Sequence, residues 1–371
     1  MRLSKNIGAI AFIMLFFAFS CGKKGGSPEE EKSVNGFDKS AMLANYVDAL
    51  IVPAYTGMQQ RMITLQATVN AFLLSPNTTS QQLMKVAFKD AFLQVERISV
   101  MQFGPAENVS LNSFINMLPA NTMKKLGVDK PDLTIVEENI ASGTYNLVQN
   151  STFHQQGFPV LDYLLFSDNA IAKFADPGSG NRKKYVQDVL TRITSLVDQT
   201  LSTWKGGYRA TFIANTKTDT GSPISFLINQ FAYEMDMIKG ARIGWPFGTQ
   251  SADVPFVDRC EGYYSGISLD LAIENMQSLR NMYTAGNSGK GISDYVIAIG
   301  QAKLNGEVIA QFNLVDSKLK AIPAPLSASL LNNKPLVTDA LKEIQTLLRL
   351  IKSDVVSKVG VQISYVDNDG D

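Results

Sequence analysis

The sequence predicts an all-α protein built as two helical bundles. Three observations carry this. Long stretches place apolar residues at helical spacing. Strand signals, meaning alternating runs bounded by turns, are almost absent. The helical stretches also fall into two halves of similar length on either side of Gly206-Gly207. A chain of 371 residues exceeds one ordinary domain. We therefore expect one bundle over 37–205 and a second, with an extended tail, over 206–371. Apolar residues make up 45% of the chain, ample for packed cores, and Lys+Arg balance Asp+Glu at 34 each. That balance argues against a nucleic-acid binder, which usually carries a basic patch.

Residues 1–20 read as a lipoprotein signal peptide. Arg2 and Lys5 form a short basic region, and the apolar run from Ile7 to Phe19 is short for a bilayer span. Ala18-Phe19-Ser20-Cys21-Gly22 then reads as a cleavage box whose Cys21 would be lipidated, anchoring the chain to a membrane. A plain secretory signal with a coincidental cysteine is the alternative. Residues 21–36 are rich in Gly, Ser, Pro and Glu and form a tether. Cys260 is then the one cysteine left in the folded part, so no intramolecular disulfide forms, and Cys260 is expected to be buried.

In the first half, Leu43, Val47, Leu50, Ala54, Met58, Leu65, Val69 and Phe72 recur at helical spacing, and Pro53 should kink or split that helix. Ser75-Pro76-Asn77 is a turn. A helix from Ser80 is expected to bury Leu83, Val86, Phe88, Phe92, Val95 and Ile98. Pro119, Gly127 and Pro131 break 111–130 into loop and short turns, and 133–152 reads as a helix with Val148 on its apolar stripe. Next comes an apolar run holding one carboxylate, Gly157-Phe158-Pro159-Val160-Leu161-Asp162-Tyr163-Leu164-Leu165-Phe166. Pro159 suits the first turn of a helix, which would put Asp162 near the positive end of the helix dipole. Asp162 is then either a site carboxylate or a helix cap. Residues 168–180 read as loop and 181–204 as a long helix.

In the second half, 222–239 is helical, 240–255 reads as a Gly-, Trp- and Pro-rich loop, and helical stretches follow over 257–283, 291–302 and 308–322. A last amphipathic helix over 337–359 is ended by Gly360 in a C-cap position.

Several of these segments resemble the imelysin-like family of bacterial envelope proteins. The family's Gly-x-His-x-x-Glu followed by Tyr-Leu-Leu-Phe is similar to the stretch from Gly157 to Phe166, with Pro159 at the histidine position and Asp162 at the glutamate position. Pro53-Ala54-Tyr55 resembles the family's opening Pro-Ala-Tyr, and Phe103-Gly104-Pro105-Ala106 its Phe-Gly-Pro-Ala. The stretch from Arg242 to Gly248 resembles its Gly-x-Pro-x-Gly link, and Tyr264-Ser265-Gly266-Ile267-Ser268 its Tyr-Ser-Gly-x-Ser. The resemblance implies the same all-α fold, as two four-helix-bundle-like domains packed against each other, and a role in iron uptake. It also implies a ligand or partner site in the cleft between the bundles, with Asp162, Tyr55, Glu96, Arg97, Tyr264, Ser265 and Ser268 as binding residues. Iron or another divalent cation is the implied ligand class, and an outer-membrane iron transporter the implied partner. The expected location is the envelope of a Gram-negative bacterium, on the periplasmic side or the cell surface.

The residues leave alternatives at each of these positions. Glu96 and Arg97 also read as a solvated pair on an outer helix face. Ser265, Gly266 and Ser268 also suit close helix approach, and Tyr46, Tyr55, Tyr163 and Tyr264 either line a polar cleft or pack in the core. Catalytic chemistry has little to work with. A zinc peptidase needs two or more neutral imidazoles or carboxylates in reach, and His154 is the sole histidine, unable to share a helix face with Asp162. No His or Lys is placed to activate Ser265 or Ser268 as a nucleophile. Asp367-Asn368-Asp369-Gly370-Asp371 opens like a calcium loop without its twelfth-position acid, and a weak divalent contact there stays open. The leading expectation is a non-enzymatic, lipid-anchored binding protein. A metal-dependent peptidase and a scaffold for an outer-membrane transporter are the alternatives.

Overall fold

The computed structural model describes residues 36–118 and 133–365. The expectations for the signal peptide, Cys21, most of the tether and the tail Asp367–Asp371 lie outside the described residues. The described residues are all-α, with no strand among them.

The first helix, α1 (Lys39–Asn45), starts where the Asp38 carboxylate accepts the Ala41 N–H at 2.8 Å. It passes through a π-turn, Tyr46–Ile51, into α2 (Val52–Leu74). Pro53 therefore resolves as a change of helix type: it stands in the first turn of α2, where its missing N–H is no loss. Asn77 and Ser80 cap each other reciprocally at the start of α3 (Thr78–Ser99). The buried stripe of α3 runs through Met84, Phe88, Ala91 and Val95, and Leu83 and Val86 are exposed, contrary to the expectation that they are buried. At about 100° per residue they lie about 100° and 160° round from Met84.

A short helix, Leu133–Ser142, stops earlier than the periodicity suggests, and Val148 lies beyond it and is exposed. The helix α4 (Phe158–Phe166) follows Gly157, whose φ is +86° and whose added Cβ would meet the Ile115 carbonyl at 2.7 Å, so only glycine fits there. The long α5 (Gly180–Thr203) runs into a π-turn at Trp204–Tyr208, where Gly206 leaves helical geometry. The short helix after it, Arg209–Ala214, packs on α1.

The second half opens with α6 (Pro223–Met237), capped by Ser222. Of the expected loop 240–255, the part from Gly248 on is irregular, in turns, but before it come a π-turn, Ile238–Gly244, and a single helical turn, Trp245–Phe247. A side chain at Gly244 would strike the Lys239 carbonyl at 2.2 Å, so the turn needs a glycine there. Then come α7 (Ser268–Thr284), α8 (Ala302–Lys320) and α9 (Lys334–Arg349). The last helix continues to Val359 and ends at Gly360 in the left-handed conformation, as expected.

Helices α2, α3 and α5 pack together in the first half, and α6, α7, α8 and α9 in the second. Helix α3 also lies along α7. One continuous apolar cluster accordingly runs from Met42 to Val361 through both halves. No helix among the described residues is long and apolar enough to cross a membrane.

Candidate functional site

Where α3 meets the second half, the apolar core gives way to a closed polar knot. Three carboxylates converge on one guanidinium. Glu96 comes from α3, Glu234 from α6, Arg242 from the π-turn and Glu261 from the turn before α7, and all are at least 96% buried. Arg242 Nη1 lies 2.8 Å from Glu96 Oε2 and in short contact with Glu261 Oε2, while Nη2 is 3.5 Å from Glu234 Oε2.

Two asparagines complete the knot. Asn116 Nδ2 donates to Glu261 Oε1 at 2.7 Å and to Glu96 Oε1 at 3.4 Å. Asn275 Nδ2 donates to Glu96 Oε2 at 2.8 Å, to Ser99 Oγ at 2.8 Å and to Glu234 Oε2 at 3.3 Å. Gln230 bridges the Ser99 carbonyl and Glu234 Oε1.

Three carboxylates and one guanidinium carry a surplus of negative charge, which is costly away from water. Burial, with Glu261 and Glu234 alongside and Arg242 only partly offsetting them, holds the Glu96 carboxyl well above the usual range. Burial raises Glu234 too. Burial works against the Arg242 charge, but the carboxylates outweigh it and its pKa goes up. The surroundings thus favour the protonated form of Glu96 and Glu234 and the charged form of Arg242.

Asp162 ties a second seam. Its Oδ2 accepts the Tyr264 N–H at 2.9 Å and its Oδ1 the Ser265 N–H at 3.0 Å, so a carboxylate from α4 holds the turn that carries Glu261. Helix α4 starts at Phe158, so Asp162 stands beyond its first turn, and Gly157 offers no side-chain cap. The helix-cap reading of Asp162 is therefore corrected: the carboxylate serves a neighbouring turn, not its own helix. Burial pushes Asp162 up to about 6, and the bonds from Ser265 and Tyr264 pull in the other direction.

The other expected site residues divide. Tyr264 is half-buried, its ring 5.4 Å from that of Tyr163 and 5.2 Å from that of Tyr263. Ser265 is buried and donates its hydroxyl back to the Gly262 carbonyl at 3.3 Å. Ser268 is buried with its hydroxyl against the Cys260 thiol. Burial pushes that thiol up to about 12, which leaves it a packing group. Tyr55 is fully buried and donates to the Met101 carbonyl at 3.1 Å. Tyr46 is likewise packed, donating to the Met282 carbonyl at 2.5 Å. Neither lines a cleft.

The solvated Glu96–Arg97 pair is corrected as well. Neighbours on a helix point about 100° apart. Glu96 accordingly turns into the knot, while the partly exposed Arg97 turns to Glu274 on α7 at 2.6 Å and to Gln94 at 3.0 Å. The sole histidine, His154, sits half-buried in the turn Asn150–Gln155 with Gln155 Nε2 at 3.3 Å, outside the knot's hydrogen bonds. Among the described residues no group of three or more His, Cys, Asp or Glu is arranged to hold a metal ion.

The Imelysin family model, Peptidase M75, matches residues 51–353. The chain belongs to the imelysin family. A comparison with curated proteins returns no match. Among solved structures, a protein described as an iron-regulated protein A precursor from Parabacteroides distasonis ATCC 8503 is 19% identical, with a TM-score of 0.71, and the match covers 90% of this chain and 97% of that one. An imelysin-like protein from Psychrobacter arcticum 273-4 is 15% identical, with a TM-score of 0.69, covering 88% and 97%. At these identities the likeness shows a shared fold. Pro159 is a first-turn proline of α4.

Glu234, Asn116 and Asn275 escaped the sequence reading, and Arg242 and Glu261 were not singled out in it as site residues. Their one sequence signal is a charge set in an apolar run, as in Phe231-Ala232-Tyr233-Glu234-Met235 and Ala241-Arg242-Ile243.

Proposed function

We propose that this imelysin is a lipid-anchored envelope protein that serves iron uptake by binding a ligand or partner at the seam between its halves, not by breaking a bond. The observation that carries the reading is the closed charge pattern of that seam. Arg242 occupies the centre of three carboxylates, the place a bridging cation would take, and Asp162 is engaged by two backbone N–H groups. Groups so fully engaged hold a shape. A hydrolase instead needs a metal-bound or base-activated nucleophile, and neither the carboxylates held on Arg242 nor the buried Cys260 and Ser268 supply one. The iron role follows the family resemblance and agrees with the description of the Parabacteroides protein as iron-regulated. The lipid anchor at Cys21 and an outer-membrane iron transporter as partner belong to the same proposal.

The test is a strain lacking this chain, complemented with wild type or Cys21→Ala and grown under iron limitation. The wild type should partition with membranes and restore cell-associated iron, whereas Cys21→Ala should leave the membrane fraction and fail to restore it. Equal iron in both strains, or unchanged partitioning of Cys21→Ala, would overturn the anchored uptake role. Peptide cleavage abolished by a chelator and restored by zinc would favour the peptidase reading instead.

A further inference from the structure

A cleft of about 380 Å³ opens on the second half, between the latter parts of α7 and α8 and the turn Ala285–Asn287. That size suits a small molecule better than a lone ion. None of its walls belongs to the polar knot. Met276 and Phe312, both buried, give it an apolar floor. The rest of the lining is polar: Gln277, Arg280 and Asn281 from α7, Asn287 from the turn, and Asp316 and Lys320 from α8.

The charges of the cleft are uneven. Lys320 Nζ lies 2.7 Å from Asp316 Oδ2, one turn earlier on the same helix, so these two offset each other. Arg280 is left over. Elsewhere among the described residues Arg61, Arg97, Arg182, Arg209, Arg242 and Arg349 each meet a carboxylate, and Arg192 and Arg259 lie over aromatic rings. The Arg280 guanidinium has neither kind of partner among those residues. Arg280 is half-buried, yet none of its side-chain nitrogens is shut off from water. An accessible fork of charged donors, standing in a cleft without a counter-charge, marks a place for a carboxylate.

The neighbours narrow the class. Asn281 and Asn287 are exposed, and neither side-chain amide has a hydrogen-bond partner among the described residues. Gln277 Nε2 reaches Asp316 Oδ1 at 3.5 Å, which leaves its amide oxygen open. Each amide offers donors and an acceptor together, the pattern that serves hydroxyl groups. A doubly charged phosphate would leave one charge unmatched beside Asp316. A metal ion would find the single carboxylate already taken by Lys320. We propose that this cleft binds a small polyhydroxy carboxylate of monosaccharide size, its carboxylate on Arg280 and its hydroxyls on Gln277, Asn281 and Asn287. The site lies apart from the seam and does not rest on the uptake reading.

The test titrates the folded mature chain with glucuronate by calorimetry, at neutral pH and low salt. Glucose has the hydroxyls without the carboxylate, acetate has the carboxylate without the hydroxyls, and inorganic phosphate is the other anion. Glucuronate should bind saturably, and each control about tenfold more weakly or not at all. Arg280→Gln should weaken glucuronate about tenfold or more, and Arg280→Lys, which keeps the charge and loses the fork, by less. Asn281→Ala changes an exposed position and should also weaken glucuronate, which keeps the test open should Arg280→Gln fail to fold. Absence of saturable binding, equal binding of glucose, acetate or phosphate, or an unchanged affinity in folded Arg280→Gln or in Asn281→Ala would each overturn the site. None of these outcomes bears on the iron-limited growth result, so the two proposals fail separately.

Discussion

A carboxylate that accepts two backbone N–H groups in a buried seam has two opposing influences on its proton. For Asp162, burial wins, and its pKa rises to about 6 from the usual 3.8. Between these values the folded chain keeps a proton that the unfolded chain has lost. Stability from this group is therefore fully present below about pH 3.8 and is lost as pH rises through 6, a change on the order of 3 kcal/mol. Glu96 and Glu234, both raised, act in the same direction. Urea unfolding of Asp162→Asn should show a shallower decline in stability between pH 4 and 6 than wild type, and superimposable pH profiles would refute the assignment. The importance of Asp162 was legible in the sequence because a lone carboxylate stands out in an apolar run. Its partner was not, because the donors are the backbone N–H groups of Tyr264 and Ser265, about a hundred positions away, and backbone groups leave no mark in a sequence.

Helical elements were legible wherever the 3.6-residue period holds, as in α2, α5 and α9, and became obscure where it changes. Eight positions along a regular α-helix would turn Arg242 about 80° away from Glu234. The π-turn Ile238–Gly244 takes more residues per revolution and so rotates less per residue, returning Arg242 to the face of Glu234, where its long side chain reaches back along the helix. With Gly240, Gly244 and Pro246 so close together, the same residues read as a loop. The structural consequence is large. Replacing Arg242 with Met removes the one cation among three buried carboxylates and should cost about 3–5 kcal/mol in urea unfolding. Adding Glu261→Gln to that variant should recover part of the loss, since one repelling charge goes with it. A loss below about 1 kcal/mol in Arg242→Met would show that the carboxylates are already neutral and the guanidinium dispensable.

Across the whole molecule, the two-bundle plan follows from composition and periodicity, but the way the halves are joined does not. Two features couple them. Helix α3 packs on α2 in the first half and on α7 in the second, and the knot takes Glu96 and Asn116 from one half and Glu234, Arg242, Glu261 and Asn275 from the other. Opening the seam would bare apolar surface of a single continuous core and would also take Glu96 from its one cation, Arg242. Neither half can thus lose its structure without the other paying the exposure. The two tryptophans allow this to be measured, because Trp204 is buried at the end of α5 and Trp245 packs beside α6. Thermal unfolding of Trp204→Phe and Trp245→Phe leaves one reporter in each half. Once corrected for each variant's own shift by a far-ultraviolet circular dichroism melt, the two fluorescence midpoints should coincide with the loss of helix. A first-half reporter that melts separately from the second would show that the halves fold as independent bundles and that the seam is a docking contact.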